Sequence, residues 1–449
     1  MKKVWVAALA SAAFLLQTVS LYAADIKFEG DFRVRGVYSN NLDASKGAED
    51  RQAFNDARFR LRTTATAGIT TGVVVVDFTN VFRDPDNSAC NDTGCRTGNY
   101  RLGDVNLGGS YNIIGVREAY LKLDLNMVKL VLGRKLVVLG HSLILHDTAD
   151  TVAAKLAAGP FDVMLANAKL KEPQAPTVTD PLKKPGSGSD TDLYIAKAGF
   201  KHGDMHEVGA FITYLNDRDA LLITTGAPDK NTLWTLGLTA DGTFGPVNLG
   251  AEFNYLTGKM EKVGGGPDVD LEGMNVLLKG GAKVASADAG LTLLYTSGDK
   301  NKSDKANING ISGNFVLANI LVNDNINSDR EGQCASINGS RIGTGSRGCV
   351  GGAGITAVKA SFGLPGLVTE NCYTEAAVIW AQTTKEIASG AKKDLGIEVD
   401  LNHKHKIDDN LSIGVNLGYL VSGDAWKSTN VNNNAHNQVK GVIFLNYMF

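Results

Sequence analysis

The sequence predicts an all-β fold, a transmembrane antiparallel β-barrel of about 18 strands with short periplasmic turns and long external loops. Three observations carry this. Apolar and polar residues alternate with a period of two along most of the chain, the connectors between alternating segments are by turns short and long, and the last segment ends on an aromatic residue, Phe449. Composition agrees: 51 Gly and only 20% charged residues in 449 are spread evenly, which fits poorly with two or three soluble domains.

The N-terminal residues come first. Lys2 and Lys3 precede an apolar run from Val4 to about Val19 and small residues at Ala23 and Ala24, the pattern of a secretory signal peptide. The expected organisation is a leader over 1–24 and a barrel over 25–449. Loss of Lys2 and Lys3 leaves 43 basic against 47 acidic residues, a net charge of -4, which argues against a nucleic-acid binder. No later stretch reaches the roughly 20 apolar residues a helix needs to cross a bilayer.

The alternating segments follow in order at about 25–39, 54–67, 71–82, 113–125, 127–135, 149–158, 160–171, 190–201, 204–215, 231–241, 245–257, 270–284, 286–298, 354–363, 370–383, 393–406, 410–422 and 437–449. In the first, Ile26, Phe28, Phe32, Val34 and Tyr38 share one face, and Lys27, Glu29, Asp31, Arg33 and Arg35 the other. In the second, Ala57, Phe59, Leu61 and Ala65 alternate with Arg58, Arg60, Arg62, Thr64 and Thr66. Near the end, Leu411, Ile413, Val415, Leu417, Tyr419 and Val421 alternate with serine, glycine and asparagine. An even number of strands places both termini on the periplasmic side. Ile443, Leu445, Tyr447 and Phe449 end the chain in a form that resembles the signal read by the outer-membrane barrel assembly machinery.

Five cysteines in an oxidising compartment leave one thiol over. Cys90 with Cys95 and Cys334 with Cys349 each bracket a polar segment and are the expected local disulfides, with Cys372 the odd residue. Neither pair has C-x-x-C spacing or a nearby histidine, so no metal is expected. No haem-attachment or nucleotide-binding motif implies a cofactor.

The run Val116-Arg117-Glu118-Ala119-Tyr120-Leu121-Lys122-Leu123, followed by Val131-Leu132-Gly133-Arg134-Lys135 and Leu139-Gly140-His141-Ser142-Leu143-Ile144, resembles the strand–turn–strand of alginate-export-type and related eighteen-stranded bacterial outer-membrane porins. Lys135 stands where those families carry glutamine. The resemblance spans about thirty residues and implies a porin, localised to the outer membrane. It also places an arginine, Arg134, at the pore, although alternation with Leu130 and Leu132 points Arg134 outward; a bulge near Gly133, or a strand leaving the hydrocarbon zone, would reconcile the two. The third external loop, 136–148, is expected either to fold inward, bringing His141, His146 and Asp147 to a constriction, or simply to extend above the membrane.

With the apolar face on lipid, the opposite face lists the pore lining. Arg33, Arg35, Arg58, Arg60 and Arg62 form a basic wall suited to carboxylates and phosphates. Asp394, Glu398 and Asp400 form an acidic wall three strands away around the closed sheet, and Glu252, Asn254, Lys279 and Lys283 add polar lining. A sheet of about 18 strands is wide enough for water, so the expected function is passive diffusion of small hydrophilic, anionic solutes. Two other uses of a barrel stand beside it: an insulating sheath around a periplasmic cytochrome, and an exporter of acidic polysaccharide. An enzyme in the wall and a calcium site in the run Asn323–Asp329 are not favoured. Subunit number stays open, since monomer and trimer alternate alike.

Overall fold

A computed structural model describes residues 24–41, 52–83, 105–106, 112–171, 190–203, 206–218, 230–261, 267–298, 305–311, 313, 315–322, 335–337, 340–342, 353–386, 390–429 and 435–449. The leader, Cys90, Cys95, Cys334, Cys349 and the run Asn323–Asp329 lie outside the described residues. Cys372 is a free, buried thiol.

Eighteen strands make the barrel: β1 Asp25–Asn40, β2 Gln52–Ala67, β3 Thr70–Arg83, β4 Asn112–Leu125, β5 Val128–Leu139, β6 Leu145–Ala158, β7 Phe161–Lys171, β8 Thr191–His202 and β9 His206–Asp217. The second half continues with β10 Lys230–Phe244, β11 Val247–Glu261, β12 Val269–Val284, β13 Ala287–Thr296, β14 Ile355–Pro365, β15 Cys372–Thr383, β16 Asp394–Lys406, β17 Leu411–Ser422 and β18 Gln438–Met448. Each pairs antiparallel with its neighbours in sequence, and β18 pairs with β1 from Asp31↔Met448 to Asn40↔Val439, closing the sheet. Closure matters because a sheet in lipid has no water to satisfy an open edge.

Tight turns join the strands at one end. Gly68, Asn126, Gly159, Gly245 and Ala285 all adopt positive φ in them, between 56° and 64°, the conformation two-residue hairpin loops require. At the closing seam Phe449 exchanges backbone hydrogen bonds with Gly30 (2.9 and 3.1 Å). A side chain at Gly30 would strike the Phe449 ring, so a glycine there leaves room for the terminal aromatic.

Parity follows the sequence. Phe28, Phe32 and Tyr38 are exposed on the outer face of β1, while Arg35, Val37 and Ser39 are buried on the inner one. Two bulges reset it locally. On β4, Val75 and Val76 of β3 face Glu118 and Val116, so Arg117 is the extra residue. On β16, Ala381 and Gln382 face Gly396 and Asp394, so Leu395 is extra. One inserted residue moves everything beyond it to the other face. Asp394 is accordingly exposed and Leu395 buried, its carbonyl accepting the Trp426 indole N–H at 2.8 Å. Asp394 therefore leaves the expected acidic wall.

Gly133 takes φ +120° without a register shift, so Arg134 keeps the outward parity of Leu132 and does not join the lumen side. It pairs instead with Asp150 at 3.6 Å. The third connection is also shorter than expected, Gly140–Ile144, because β5 and β6 extend through most of 136–148.

Val399, midway along β16, is half-exposed on the outer face between Glu398 and Asp400 on the inner one. Val399→Arg is expected to cost about 2–4 kcal/mol of folding stability in a bilayer, the depth-dependent cost of a charge on the lipid face. Denaturant titration in vesicles measures it, and an unchanged midpoint would contradict the assignment of that face to lipid.

Candidate functional site: the charged lumen and its two inward segments

On β1–β4 the inward arginines are interleaved with carboxylates. Arg35 bonds to Asp56 directly opposite (Nε to Oδ1, 2.9 Å) in a buried pair. Arg60 holds Asp77 through Nε and an NH2 group at 2.6 and 2.8 Å, and Arg62 reaches Glu118 at 3.2 Å. Arg117, brought round by its bulge, lies 3.8 Å from Asp77. Arg33 and Arg58 are direct cross-strand partners, and like charges so placed repel. Arg58 relieves this by turning to Asp31. Arg33 has no ion pair among the described residues.

Alternation alone puts these arginines on one wall but does not name their carboxylate partners Asp56, Asp77 and Glu118. The signal was present: each has inward parity on an adjacent strand. Six arginines against Asp31, Asp56, Asp77 and Glu118 leave an excess of two positive charges on this wall.

The opposite side of the lumen is filled. Above Arg134 and Asp150, β5 and β6 pair only with each other, so the hairpin from Lys135 to Ala149 leaves the wall. It folds inward. Leu139, Ile144 and Leu145 are fully buried against inward residues of β7–β12 such as Leu193, Phe211 and Leu256. Each such side chain contributes about 1.5–3 kcal/mol relative to exposure, enough to hold the hairpin off the wall.

Its tip is clamped. Glu252, buried on β11, accepts the backbone N–H of His141 and lies 2.9 Å from its Nδ1, while Asp241 on β10 lies 3.0 Å from Nε2. Gly140 takes φ +62°, and any side chain there would collide with the Glu252 carboxylate. The Glu252 hydrogen bond raises the His141 pKa above its ordinary 6.5, burial opposes this, Asp241 adds to the rise and Lys279 opposes it. Lys279 and Lys283 share the inward parity of β12, with Lys283 exposed near the turn. His146 bonds the Ser142 hydroxyl at 3.0 Å, and Asp147 accepts the Thr148 N–H.

A second inward segment, the described residues of 308–322 in the longest loop, meets the hairpin. The Ile311 N–H donates to the Ile144 carbonyl at 2.9 Å. Further along, Asp400 accepts the backbone N–H of Asn319 (3.0 Å), and the two oxygens of Glu398 accept those of Ile320 and Leu321 (both 2.7 Å). The surviving pair of the expected acidic wall is thus engaged in holding this strap. Phe315, Leu317 and Leu321 pack with Leu143, Ile379, Leu420 and Trp426 beneath it. The strap was not anticipated, although apolar residues inside an external loop are its sequence signature.

What stays wet is the arginine side, where Arg58, Arg60 and Arg62 keep 22–36% of side-chain exposure, and the space below the hairpin tip, where Asp241 keeps 53%.

No family model matches the sequence, and no curated protein matches it. Solved structures do. A BenF-like porin from Pseudomonas fluorescens Pf-5 superposes with a TM-score of 0.56 at 12% identity, covering 95% of this chain and 99% of its own. Pseudomonas aeruginosa OccK8 (OprE) gives 0.55 at 12%, covering 95% and 98%. The fold is that of an outer-membrane porin. Pseudomonas aeruginosa OpdK, solved with vanillate, gives 0.54 at 12% identity over 94% and 98%, and OccK2 (OpdF), in complex with glucuronate, 0.53 at 11% over 95% and 96%. The eighteen-stranded porin class is matched; nothing in these comparisons singles out the alginate-export type within it.

Two outcomes follow. A neutral imidazole donates through one ring nitrogen only, so with a raised pKa the double clamp on His141 is complete below pH 6.5 and is lost as pH rises through the folded-state value. Single-channel recordings are expected to show current fluctuation growing over that upward range, and in His141→Ala, whose tip lacks the imidazole clamp at every pH, fluctuation that does not depend on pH. Glu398→Ala orphans two buried N–H groups at about 1–3 kcal/mol each, and is expected to free the strap and raise conductance; unchanged conductance would show that the strap does not narrow the path.

Proposed function

We propose that the chain is a passive outer-membrane channel for small hydrophilic anions, carboxylates foremost. It is exported under the leader over 1–24 and recognised by the barrel assembly machinery through the segment ending at Phe449. The observation that carries the reading is the mixed-charge wall: among the described residues it holds two excess positive charges, Arg33 has no ion pair there, and Arg58, Arg60 and Arg62 keep 22–36% of side-chain exposure. Guanidinium groups stay charged at any physiological pH and match the fork of a carboxylate. Their field raises the local anion concentration and lowers the barrier to passage. The alternating carboxylates keep neighbouring arginines from locking onto a solute, since permeation needs binding weak enough to release.

Vanillate and glucuronate, named with two of the structural neighbours, are both carboxylates, which agrees with this choice. The sheath and polysaccharide-export readings lose ground for a physical reason. A hairpin and a strap hydrogen-bonded to each other across the lumen oppose the threading of a cytochrome or a thick polymer.

In a planar bilayer under a salt gradient, the reversal potential is expected to show anion preference, weakened in Arg33→Gln and strengthened in Asp77→Asn. Equal permeability to both ions in the parent would overturn the proposal. Arg35 is a poor target for this test, because its removal strands the buried Asp56 at about 3–5 kcal/mol.

A further inference from the structure

The outer surface carries an ordered profile across β5–β10. Residues directly opposite one another on successive strands form three outward rows. The first is Leu130, Ala154, Leu165, Ala196 and Ile212. Next toward the loops is Leu132, Val152, Asn167, Tyr194, Tyr214 and Trp234. Above that is Arg134, Asp150, Lys169 and Asp192. From the mid-membrane side outward the order is aliphatic, aromatic, charged, the sequence in which a bilayer passes from chains to headgroups.

The surface here is concave. A recess of about 740 Å³ opens on the first two rows. Two features shape it: Ala154 and Ala196 are small where Leu165 and Tyr194 stand out, and immediately above Val152 the β5–β6 hairpin departs into the lumen. Tyr214 and Trp234, with ring centroids 4.7 Å apart, and Tyr194, 6.3 Å from Tyr214, wall its upper side. A nearly wholly apolar recess does not hold water, and left empty it forfeits the dispersion contacts of every lining atom.

We propose that this recess binds an acyl chain of lipopolysaccharide as a fixed lipid, sealing the wall where the hairpin leaves it. The recess is continuous with the lipid-facing band, it lies toward the external loops and so in the leaflet where that lipid resides, and its charged row offers the half-buried Lys169 at headgroup level, with Arg134 largely covered beside it. Both cations already have acidic neighbours, Asp150 at 3.6 Å and Asp190 at 2.8 Å, so the chain and not the headgroup supplies most of the binding. The inference rests on the membrane-spanning fold and not on the channel reading.

The test is the lipid retained by the full chain, purified from outer membranes and washed through detergent exchange, quantified by mass spectrometry as lipid A and as phospholipid. The parent is expected to keep lipid A, and the recess-filling variants Ala154→Trp and Ala196→Phe to retain about tenfold less, with Leu291→Trp on a distant part of the lipid face unchanged. Equal lipid A in parent and recess variants overturns the proposal. So does phospholipid in its place. So does a drop in sedimentation mass on filling the recess, which would assign it to a second copy of this chain. Conductance recorded in parallel is expected to be unaffected by the recess variants, so failure of the channel reading and failure of this one are separable.

Discussion

Every other feature of the molecule depends on the hydrogen-bonding requirement of a backbone in hydrocarbon. With no water to accept or donate, each N–H and C=O must find a partner within the protein, and a sheet does this only if its last strand pairs with its first. The β18–β1 seam, completed by Phe449 against Gly30, is therefore as necessary to the fold as any core. Once closed, the sheet has two faces in different solvents, and the period of two in the sequence becomes a partition between lipid and lumen.

The lumen is where the molecule departs from a plain pipe. A barrel of this width holds more space than its inward side chains fill, and the chain places two segments of its own in it. The hairpin brings leucines that replace contacts with water by contacts with inward residues of the far wall. The strap brings backbone N–H groups, for which Glu398 and Asp400 serve as acceptors. Charge is thereby divided by use: carboxylates on β16 are structural, Glu252 and Asp241 hold a loop tip, and the arginines of β1–β4 face the remaining water. Like charges at Arg33 and Arg58 turn Arg58 toward Asp31 and leave Arg33 without an ion pair among the described residues.

Much of this was legible in the sequence. The eighteen strands, and their faces away from the two bulges, follow from alternation, because lipid and water impose opposite chemistries on adjacent residues. The hairpin reads as loop in the sequence because its two arms, Leu136 to Leu139 and Leu143 to Leu145, are apolar at every position, so nothing in them alternates. Asp394 leaves its expected face for another reason, since a bulge is a single extra residue with no composition of its own. The partners of the arginines lay in plain view at inward parity, but pairing them required register, which only the assembled sheet supplies.

Partition across adjacent residues is the central claim, and spin-label accessibility at Leu61 and Arg62 on β2, each in a background lacking native cysteines, tests it most directly. Leu61 is expected to collide freely with oxygen and little with a water-soluble nickel complex, and Arg62 to show the reverse. The same accessibility at both positions would contradict the assignment of the two faces, and with it the channel.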